Sequence, residues 1–389
     1  MKIAIVVPRY GEEIVGGAET LARTLAEFVV QQGWQVTVLT TCAYDHHSWE
    51  NHFSTGKTTL NQVEVLRFPV SYQDATTYHQ LNHQLSQQFS LTRAEQFRWL
   101  KSGPHSPQLY ACLQANLAEF DVIFALPYLS TIVQYAAWVA PQKTVLLPCL
   151  HKELYVFMEP VRLLLATVRA VLFLSPEEQA FAVEGMSLGL ENTAVIGMGL
   201  DNPPEPLPGI TPPDTPYLLL VSRLEPAKNL AILYEYVQRY VEEGNALQLQ
   251  ILGTGSFAPP DHPAFQLRGF LPHAEKLAWA QSALATCQPS LMESFSIVIM
   301  ESWQMGRPVL VHKRCAVTSG HVQRSSGGFT FATYKEFANA VDWLQTHPTE
   351  AQQMGKRGQA YVDAHYRWPI IFEKLVDLLS RSGFPISGI

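Results

Sequence analysis

The stretch YLLLVSRLEPAKN (217–229) has the pattern of a buried strand, a short loop and the start of a helix. An uninterrupted apolar run is typical of a parallel strand that is covered on both faces. Its loop carries Arg223 and Lys228 at the edge where parallel sheets present ligand groups. Arginine binds phosphate oxygens as a fork and lysine as a point charge, so the pair is suited to a diphosphate. A solvated basic loop explains the two cations equally well when they are taken alone.

A second stretch, PSLMESFSIVIMES (289–302), carries two carboxylates at Glu293 and Glu301. On a helix their spacing corresponds to roughly 10 Å, whereas catalytic carboxylate pairs of glycosidases lie roughly 5–9.5 Å apart. The longer span suits the two ends of one nucleotide-sugar, with ribose hydroxyls at Glu301 and sugar hydroxyls at Glu293. The amides of Phe295 and Ser296 would face an anion at the helix N-terminus. Taken alone, a capped surface helix with two unrelated acids is the better explanation.

Outward from these stretches, short apolar runs alternate with amphipathic segments along the whole chain, a pattern that indicates parallel βαβ units. The segment 201–216 has seven prolines in sixteen residues, so it cannot form a helix or a central strand. We therefore predict an α/β protein with two Rossmann-like, doubly wound domains. The first spans 1–200, 201–216 is a linker, and the second spans 217–369. Ligands of such sheets bind beyond the carboxyl ends of the strands, so we expect a cleft between the domains.

Composition limits the class of protein further. The 389 residues are 47% hydrophobic and 16% charged, which suits two folded domains and excludes a disordered chain. The net charge of −7 argues against nucleic-acid binding. Five scattered cysteines favour reduced thiols in the cytoplasm over a disulfide framework or a zinc site. The apolar stretch Val122–Ala140 is interrupted by proline and polar residues, so it indicates a strand and a helix rather than a membrane span.

Three features of the first half are weaker candidates for a site. Gly16 and Gly17 follow the first strand, where glycine lets backbone amides approach a phosphate or substrate; a plain turn is the alternative. His151 closes the apparent strand TVLLPCL (144–150), where it could bind a sugar hydroxyl, although a structural role is usual for a lone histidine. The cluster His46, His47 and His52 lacks the spacing of a metal site, so we interpret it as a loop.

Two segments resemble nucleotide-binding motifs but lack the neighbouring residues and elements that those motifs require. TGKT (55–58) resembles the end of a P-loop, but the required earlier glycine is Asn51 and no strand precedes it. GTGSFA (253–258) resembles a dinucleotide fingerprint, but Pro259 and Pro260 prevent the helix that must follow. A nicotinamide-dependent dehydrogenase is therefore disfavoured.

The order of the motifs is more specific than any one of them. GGAE near the start, His151, R-x4-K, GTGS, RGFL, E-x7-E and GRPVL follow one another along the chain. This order resembles the retaining glycosyltransferases of family 4, which have the GT-B fold. The resemblance is strong over 217–310, good over 1–40, and weak over 75–120 and 311–330.

The resemblance implies a role for each matching residue. Arg223 and Lys228 would neutralise the donor diphosphate, and Glu301 would hold the ribose. Glu293 and the backbone of Ser294–Ser296 would hold the transferred sugar and the distal phosphate. Further residues would contact the donor or lie beside its anomeric carbon: Gly16, Gly17, His151, Phe295, Gly253 and Leu271. The C-terminal helix, about 370–389, would return to the first domain.

The sequence also departs from the family pattern. Ser222, Ser296 and Ser302 stand where the family has Gly, Gly and often Ala, and Lys152 follows His151 where Asp is frequent. The segment KRCAVTSGHVQRSSGGF (313–329) differs from the usual glycine-rich version. The extra side chain of Ser296 could alter sugar selectivity. The four primary positions are retained, which favours an active enzyme over a degenerate binder.

The expected function is retaining transfer of a hexose from a nucleotide-diphosphate sugar, UDP or GDP, to the hydroxyl of a glycan, lipid or small molecule. We expect no cofactor and no metal, because no Asp-x-Asp motif stands in a suitable place. A nucleotide-sugar epimerase, a phosphorylase with a pyridoxal cofactor, and a non-catalytic nucleotide-sugar binder remain as alternatives. Acceptor contacts are expected from about 42–60 and 75–118. In the latter, LTRAEQFRWLKSGPH (91–105) allows peripheral membrane contact, although an ordinary helix is the simpler explanation.

Overall fold

A computed structural model describes residues 1–14, 16–205 and 207–386 of the chain. Val15 in the predicted first loop, Pro206 in the predicted linker and 387–389 at the end of the predicted C-terminal helix lie outside the described residues. The chain divides into two compact units, one formed by Met1–Gly199 with Ile371–Ile389 and the other by Leu200–Ile370. The described residues of 201–216 form neither helix nor strand, as their prolines require.

The first unit is built on an eight-stranded sheet in the order β10-β9-β8-β7-β1-β2-β4-β3. Every neighbouring pair is parallel except β3 with β4, which form an antiparallel hairpin at one edge. The strands are β1 (Lys2–Val6), β2 (Gln35–Thr41), β3 (Gly56–Leu60), β4 (Val63–Phe68), β7 (Val122–Ala125), β8 (Thr144–Leu146), β9 (Ala170–Phe173) and β10 (Thr193–Val195). A two-stranded sheet joins β5 (Ser71–Tyr72) to β6 (Pro104–His105).

Helices of the first unit follow the strands and cover the sheet. They are α1 (Gly17–Gln31), α2 (Ala75–Ser86), α3 (Arg93–Ser102), α4 (Pro107–Ala115), α5 (Thr131–Val139), α6 (Glu159–Thr167) and α7 (Pro176–Ala180). The last helix, α14 (Trp368–Arg381), begins in the second unit and packs within the first. There the ring of Phe372 lies 5.8 Å from that of Phe28 and 5.3 Å from that of Trp34.

The second unit has a six-stranded parallel sheet in the order β13-β12-β11-β14-β15-β16. Its strands are β11 (Tyr217–Val221), β12 (Gln248–Leu252), β13 (Phe265–Gly269), β14 (Ala285–Gln288), β15 (Val309–His312) and β16 (Gly328–Phe331). Its helices are α8 (Leu230–Glu242), α9 (His273–Ser282), α10 (Ile297–Gln304), α11 (Ala316–Ser325), α12 (Tyr334–Thr346) and α13 (Pro348–His365). The order corresponds to 3-2-1-4-5-6, that of a Rossmann-type sheet.

Each sheet reverses its order at one point, and those points locate the loops of interest. In the second unit the chain moves from β11 to β12 on one side and returns to β14 on the other. In the first unit β1 has β2 on one side and β7 on the other. Ligands of open α/β sheets bind beyond the carboxyl ends of the strands at this reversal. The predicted α/β fold with two Rossmann-like domains is confirmed.

Candidate functional site

The loops after β11 and β14 lie side by side at the reversal of the second sheet, because these two strands pair directly. The first loop carries Arg223 and Lys228 and ends at Asn229. The second runs from Pro289 to Ser296 and contains Glu293. The Asn229 side chain donates to the Pro289 carbonyl at 3.0 Å, which fastens one loop to the other. The two stretches that decided the sequence interpretation therefore form a single surface.

Lys228 and Glu293 are in direct contact across this surface. The Lys228 ammonium lies 2.9 Å from Oε1 of Glu293, and their side chains are only 21% and 12% exposed. Lys228 ends a short 3-10 turn, Pro226–Lys228, and Asn229 follows in the left-handed conformation with φ 56°. The sequence predicted a role for each residue but gave no sign of the ion pair, because 65 positions separate them.

Arg223 is more exposed, at 48%, and pairs with Glu225 at 3.1 Å. Its loop is shaped by the glycines of GTGS. A Cβ built at Gly253 would lie 1.8 Å from the Ser222 carbonyl oxygen, and one at Gly255 would lie 2.3 Å from that of Leu224. Both glycines also have positive φ, 141° and 153°. The motif therefore lets the loop after β12 lie directly against the backbone on either side of Arg223.

Ser296 precedes α10 in an unfavourable conformation. Its φ of 72° and ψ of 74° are left-handed, and its side chain makes no capping hydrogen bond. The residue is 8% exposed, and within the described part of the chain its hydroxyl has no hydrogen-bond partner. Left-handed backbone costs a side-chain-bearing residue about 1–2 kcal/mol, and a buried unsatisfied hydroxyl adds to that cost. Such strain is found most often at functional sites.

Ser294 is half-buried beside this turn, whereas Phe295 points into the core of the second unit. The Phe295 ring lies edge-on to the rings of His321 and Tyr366, with centroids 5.5 and 5.1 Å away. Burial lowers the pKa of His321 to about 3, and Arg324 acts in the same direction. His321 is therefore neutral at physiological pH. Only the backbone of Phe295 is in a position to serve a ligand, and its ring anchors the turn.

Glu301 lies in the second turn of α10 and has partners that the sequence analysis missed. Its Oε1 lies 2.5 Å from the Lys276 ammonium and 3.5 Å from Nδ1 of His273. The Glu301 side chain is 5% exposed. The two partners stand three residues apart on α9, and that spacing on one helical face was the available signal. Leu271, just before α9, packs half-buried on a small cluster containing Tyr217 and Trp279.

The remaining predicted residues belong to the first unit. Gly16 is extended, with φ 169°, and a Cβ there would meet the carboxylate of Glu19 at 2.1 Å. Gly17 opens α1, and a Cβ built on it meets no atom of the described chain within 4 Å. Glu19 pairs with Arg9 at 2.5 Å. The backbone at Gly17 is thus open at the carboxyl edge of β1.

His151 corrects one detail of the sequence interpretation. Strand β8 ends at Leu146, because the chain turns away through Cys149, which has φ 55°. His151 therefore lies five residues beyond the strand rather than at its end. Its loop is held by Glu178, whose two carboxylate oxygens accept from the Leu150 and Leu174 amides at 2.5 and 2.6 Å. The sequence analysis did not identify Glu178.

Burial controls the ionisation of this loop. It raises the pKa of Glu178 to about 8, while hydrogen bonds from the amides of Leu174 and Leu150 act in the opposite direction. Burial also raises the pKa of the Cys149 thiol well above its ordinary value, and the charges of Glu178 and Glu19 add to that shift.

Residues 1–14, 16–205 and 207–386 contain neither a metal-binding cluster nor a membrane-spanning helix. No three His, Cys, Asp or Glu side chains come together as a metal-binding group there. None of the helices combines the length and apolar character needed to cross a membrane. In the histidine cluster of the sequence, the ring centroids of His46 and His47 lie 4.0 Å apart, and the rings are tilted by 36°.

Comparison with known proteins agrees with this geometry. Residues 215–347 match the family described as "Glycosyl transferases group 1". Trehalose synthase of Rubrobacter xylanophilus is 27% identical over 189 residues, which are 43% of this chain and 44% of that protein. The chain therefore spans less than half the length of this relative.

Solved structures resemble nearly the whole chain. Sucrose-phosphate synthase of Thermosynechococcus elongatus superposes with a TM-score of 0.70, 17% identity and 98% coverage of both chains. Anabaena HepE, solved with UDP-glucose, superposes with a TM-score of 0.68 and 17% identity, covering 98% of this chain and 100% of that chain. Trehalose-6-phosphate synthase OtsA superposes with a TM-score of 0.71 and 10% identity, covering 97% of this chain and 99% of that chain. The chain therefore has the GT-B fold.

Proposed function

We propose that this protein is a retaining glycosyltransferase that moves a hexose from a UDP- or GDP-sugar to a hydroxyl acceptor. The observation that carries the proposal is the Lys228–Glu293 pair at the reversal of the second sheet, 2.9 Å apart and largely buried. Support comes from the group 1 match over the same unit and from a GT-B neighbour solved with UDP-glucose. The cleft between the two units stays a prediction from the sequence.

In this proposal Lys228 and Glu293 both bind the donor. Lys228 and Arg223 take the diphosphate, and the α10 N-terminus at Ser296 adds its backbone amides and helix dipole. Glu293 then accepts hydrogen bonds from hydroxyls of the transferred sugar. Glu301 accepts from the ribose, with Lys276 fixing the position of its carboxylate. Gly253 and Leu271 line the nucleotide end, and Ser294 and the Phe295 backbone contact the sugar end.

The chemistry follows from these positions. The bond between the anomeric carbon and the diphosphate oxygen breaks, and the acceptor oxygen bonds to that carbon on the same face. The acceptor proton passes to a donor phosphate oxygen, so no separate protein base is needed. Arg223, Lys228 and the helix terminus stabilise the charge that grows on the diphosphate, usually the largest electrostatic contribution. His151 contacts the sugar beside the anomeric carbon, and Gly16 and Gly17 approach the diphosphate or the acceptor. These cations replace a metal in this scheme.

The first test is a thermal-shift screen with UDP-, GDP- and ADP-sugars. A donor at one hundred times its dissociation constant stabilises the fold by about 2.7 kcal/mol. We expect Lys228→Ala and Glu293→Ala to abolish the shift and transfer. Arg239→Ala is the matched control, because Arg239 forms a 2.9 Å ion pair with Glu243 on an exposed face of the same unit. Wild-type transfer rates in Arg223→Ala, Lys228→Ala and Glu293→Ala together would refute the proposal.

The other readings predict different products. An epimerase would isomerise the donor without any acceptor, and a phosphorylase would purify with the absorbance of a pyridoxal cofactor. A non-catalytic binder would give the thermal shift with neither transfer nor hydrolysis. Proton NMR of the product settles retention, and activity that survives EDTA would support metal independence. The expected cytoplasmic location, with at most peripheral membrane contact, is tested by cell fractionation and liposome flotation.

A further inference from the structure

The loop between β2 and β3 is closed on itself. The amides of His52 and Phe53 both donate to the Cys42 carbonyl, at 2.7 and 2.9 Å, so the two ends of 42–53 meet. The Asn51 side chain then bonds the backbone of Val70 twice, as donor and as acceptor, each at 2.9 Å. A loop closed and fastened in this way loses little conformational entropy when it binds a ligand.

The same loop is tied to the first loop of the unit. Buried Arg9 donates to the Tyr44 carbonyl at 3.1 Å and to Glu19 at 2.5 Å. Glu19 lies in the first turn of α1, two residues after Gly17. Because β1 and β2 are parallel neighbours, both loops leave the sheet at its carboxyl edge. Tyr44 is thus fixed relative to the proposed approach of the diphosphate or acceptor at Gly17.

Three aromatic side chains stand together on this loop, and we call Tyr44, His52 and Phe53 the aromatic shelf. The Tyr44 ring centroid lies 5.3 Å from that of His52 and 6.3 Å from that of Phe53. Tyr44 is 45% exposed and His52 is also exposed. Phe53 is held by the guanidinium of Arg67, 4.4 Å from its centroid. These aromatic side chains are exposed to solvent on a rigid loop at the carboxyl edge of the sheet, where ligands bind. Such an exposed aromatic surface is typical of a recognition site.

The groups beside the shelf indicate what it recognises. Asp45 follows Tyr44 and accepts hydrogen bonds from the Ser48 hydroxyl and amide and from the His47 amide at 2.7–2.8 Å. The bonds from Ser48 lower the pKa of Asp45 to about 2, so it is ionised at physiological pH. A fixed negative charge repels phosphorylated ligands. An aromatic face attracts the weakly positive C–H groups of a sugar ring, and imidazoles can bond its hydroxyls.

We propose that the aromatic shelf is the acceptor subsite and that the acceptor is a neutral sugar or glycan end whose ring stacks on Tyr44. The assignment of this sugar as the acceptor rests on the proposed transferase function; the binding of the sugar does not. The proposal narrows the class of acceptor from a glycan, lipid or small molecule to an uncharged carbohydrate. Binding at the shelf needs no donor, so the two ideas can be tested apart.

The experiment is saturation-transfer NMR of the full-length protein, without donor, against a panel of neutral mono- and disaccharides, with glucose 6-phosphate as the anionic probe. We expect at least one neutral sugar to bind and glucose 6-phosphate to bind more weakly. Tyr44→Ala should raise the dissociation constant about fivefold to tenfold, the equivalent of one stacking contact. Tyr44→Phe should stay within about twofold, because it keeps the ring. Phe157→Ala is the control, an aromatic of the same unit that is 44% exposed and lies outside the segments expected to contact the acceptor.

The outcomes separate the two proposals. Unchanged sugar affinity in Tyr44→Ala, no binding by any neutral sugar, or a preference for glucose 6-phosphate would each overturn the shelf, even if the protein hydrolyses donors. The protein could instead bind a sugar through Tyr44 but neither bind nor use a nucleotide-sugar. That result would support the proposed sugar site and refute the proposed transferase function. A thermal melt of each variant shows that the fold is intact, which we expect because Tyr44 lies at the surface.

Discussion

Replacing Ser296 by glycine should make the protein more stable, although serine caps helices well in general. The usual benefit is absent here, because the Ser296 side chain makes no capping hydrogen bond. Glycine adopts the left-handed conformation at φ 72° freely, which recovers about 1–2 kcal/mol. Removing the buried, unpartnered hydroxyl recovers about 1–3 kcal/mol more. The greater flexibility of the unfolded glycine chain offsets about 1 kcal/mol, which leaves a net gain of about 1–4 kcal/mol.

Two further variants divide this gain into its parts. Ser296→Ala removes the hydroxyl but keeps a Cβ in the left-handed conformation, so it should gain less than Ser296→Gly. Ser326 is the matched control: it has φ 50° after α11 but is exposed. Ser326→Gly relieves only the backbone and should change the free energy of unfolding by less than about 1 kcal/mol.

Hydrogen exchange of the α10 amides is the assay of choice, because a chain with two units need not unfold in one step. Urea midpoints with the same variants give an independent ranking. If Ser296→Gly is no more stable than Ser326→Gly, the cost assigned to the buried Ser296 hydroxyl is wrong. The same variant should also raise activity with bulkier donor sugars relative to wild type, because it removes the side chain that crowds the proposed site. A stability gain with a changed donor preference is the usual trade-off at a strained site.

Three more predictions concern single positions. Burial raises the pKa of Glu178 to about 8, so the folded state holds its proton longer than the unfolded state; wild-type stability should fall between about pH 4.5 and 8, and Glu178→Gln should lose that slope. Gly253→Ala should cost more than about 3 kcal/mol, because its Cβ would lie 1.8 Å from a carbonyl oxygen, whereas Gly244→Ala, with open space, should cost about 1 kcal/mol. Lys276→Met removes the nearer partner of the buried Glu301 and leaves only His273, 3.5 Å away, so it should cost about 3 kcal/mol.

Thermal and urea unfolding measure all three. For Glu178, the difference in the free energy of unfolding between wild type and Glu178→Gln should change with pH. A difference that stays constant from pH 5 to 9 would contradict the assigned pKa. The controls for Lys276 and Gly253 lie elsewhere in the chain. Lys57→Met breaks an exposed ion pair with Glu64 and should cost at most about 1 kcal/mol. Equal losses in Gly253→Ala and Gly244→Ala would show that the loop beside Arg223 can move aside.

Much of the fold was predictable because its strands are buried on both faces. Runs such as YLLLV and VIFA are apolar throughout, and this pattern indicates a buried strand whatever its particular tertiary contacts are. Strand β3 was missed because GKTTL is polar and lies at an exposed edge. Strand β16 and helix α11 were missed because KRCAVTSGHVQRSSGGF has no clear period. The end of β8 was misplaced because LPCL is as apolar as the strand before it.

By itself, the sequence determined the class of fold, the two charged segments and their relation to strand ends, since these depend on local order along the chain. Only the tertiary structure decided that Lys228 pairs with Glu293, that Lys276 holds Glu301, and that Glu178 fastens the His151 loop. The strained backbone of Ser296 and the aromatic shelf at Tyr44 also became visible only there. The physical reason for the contacts is the same: each joins residues of separate loops or helices that only the order of strands in a sheet brings together.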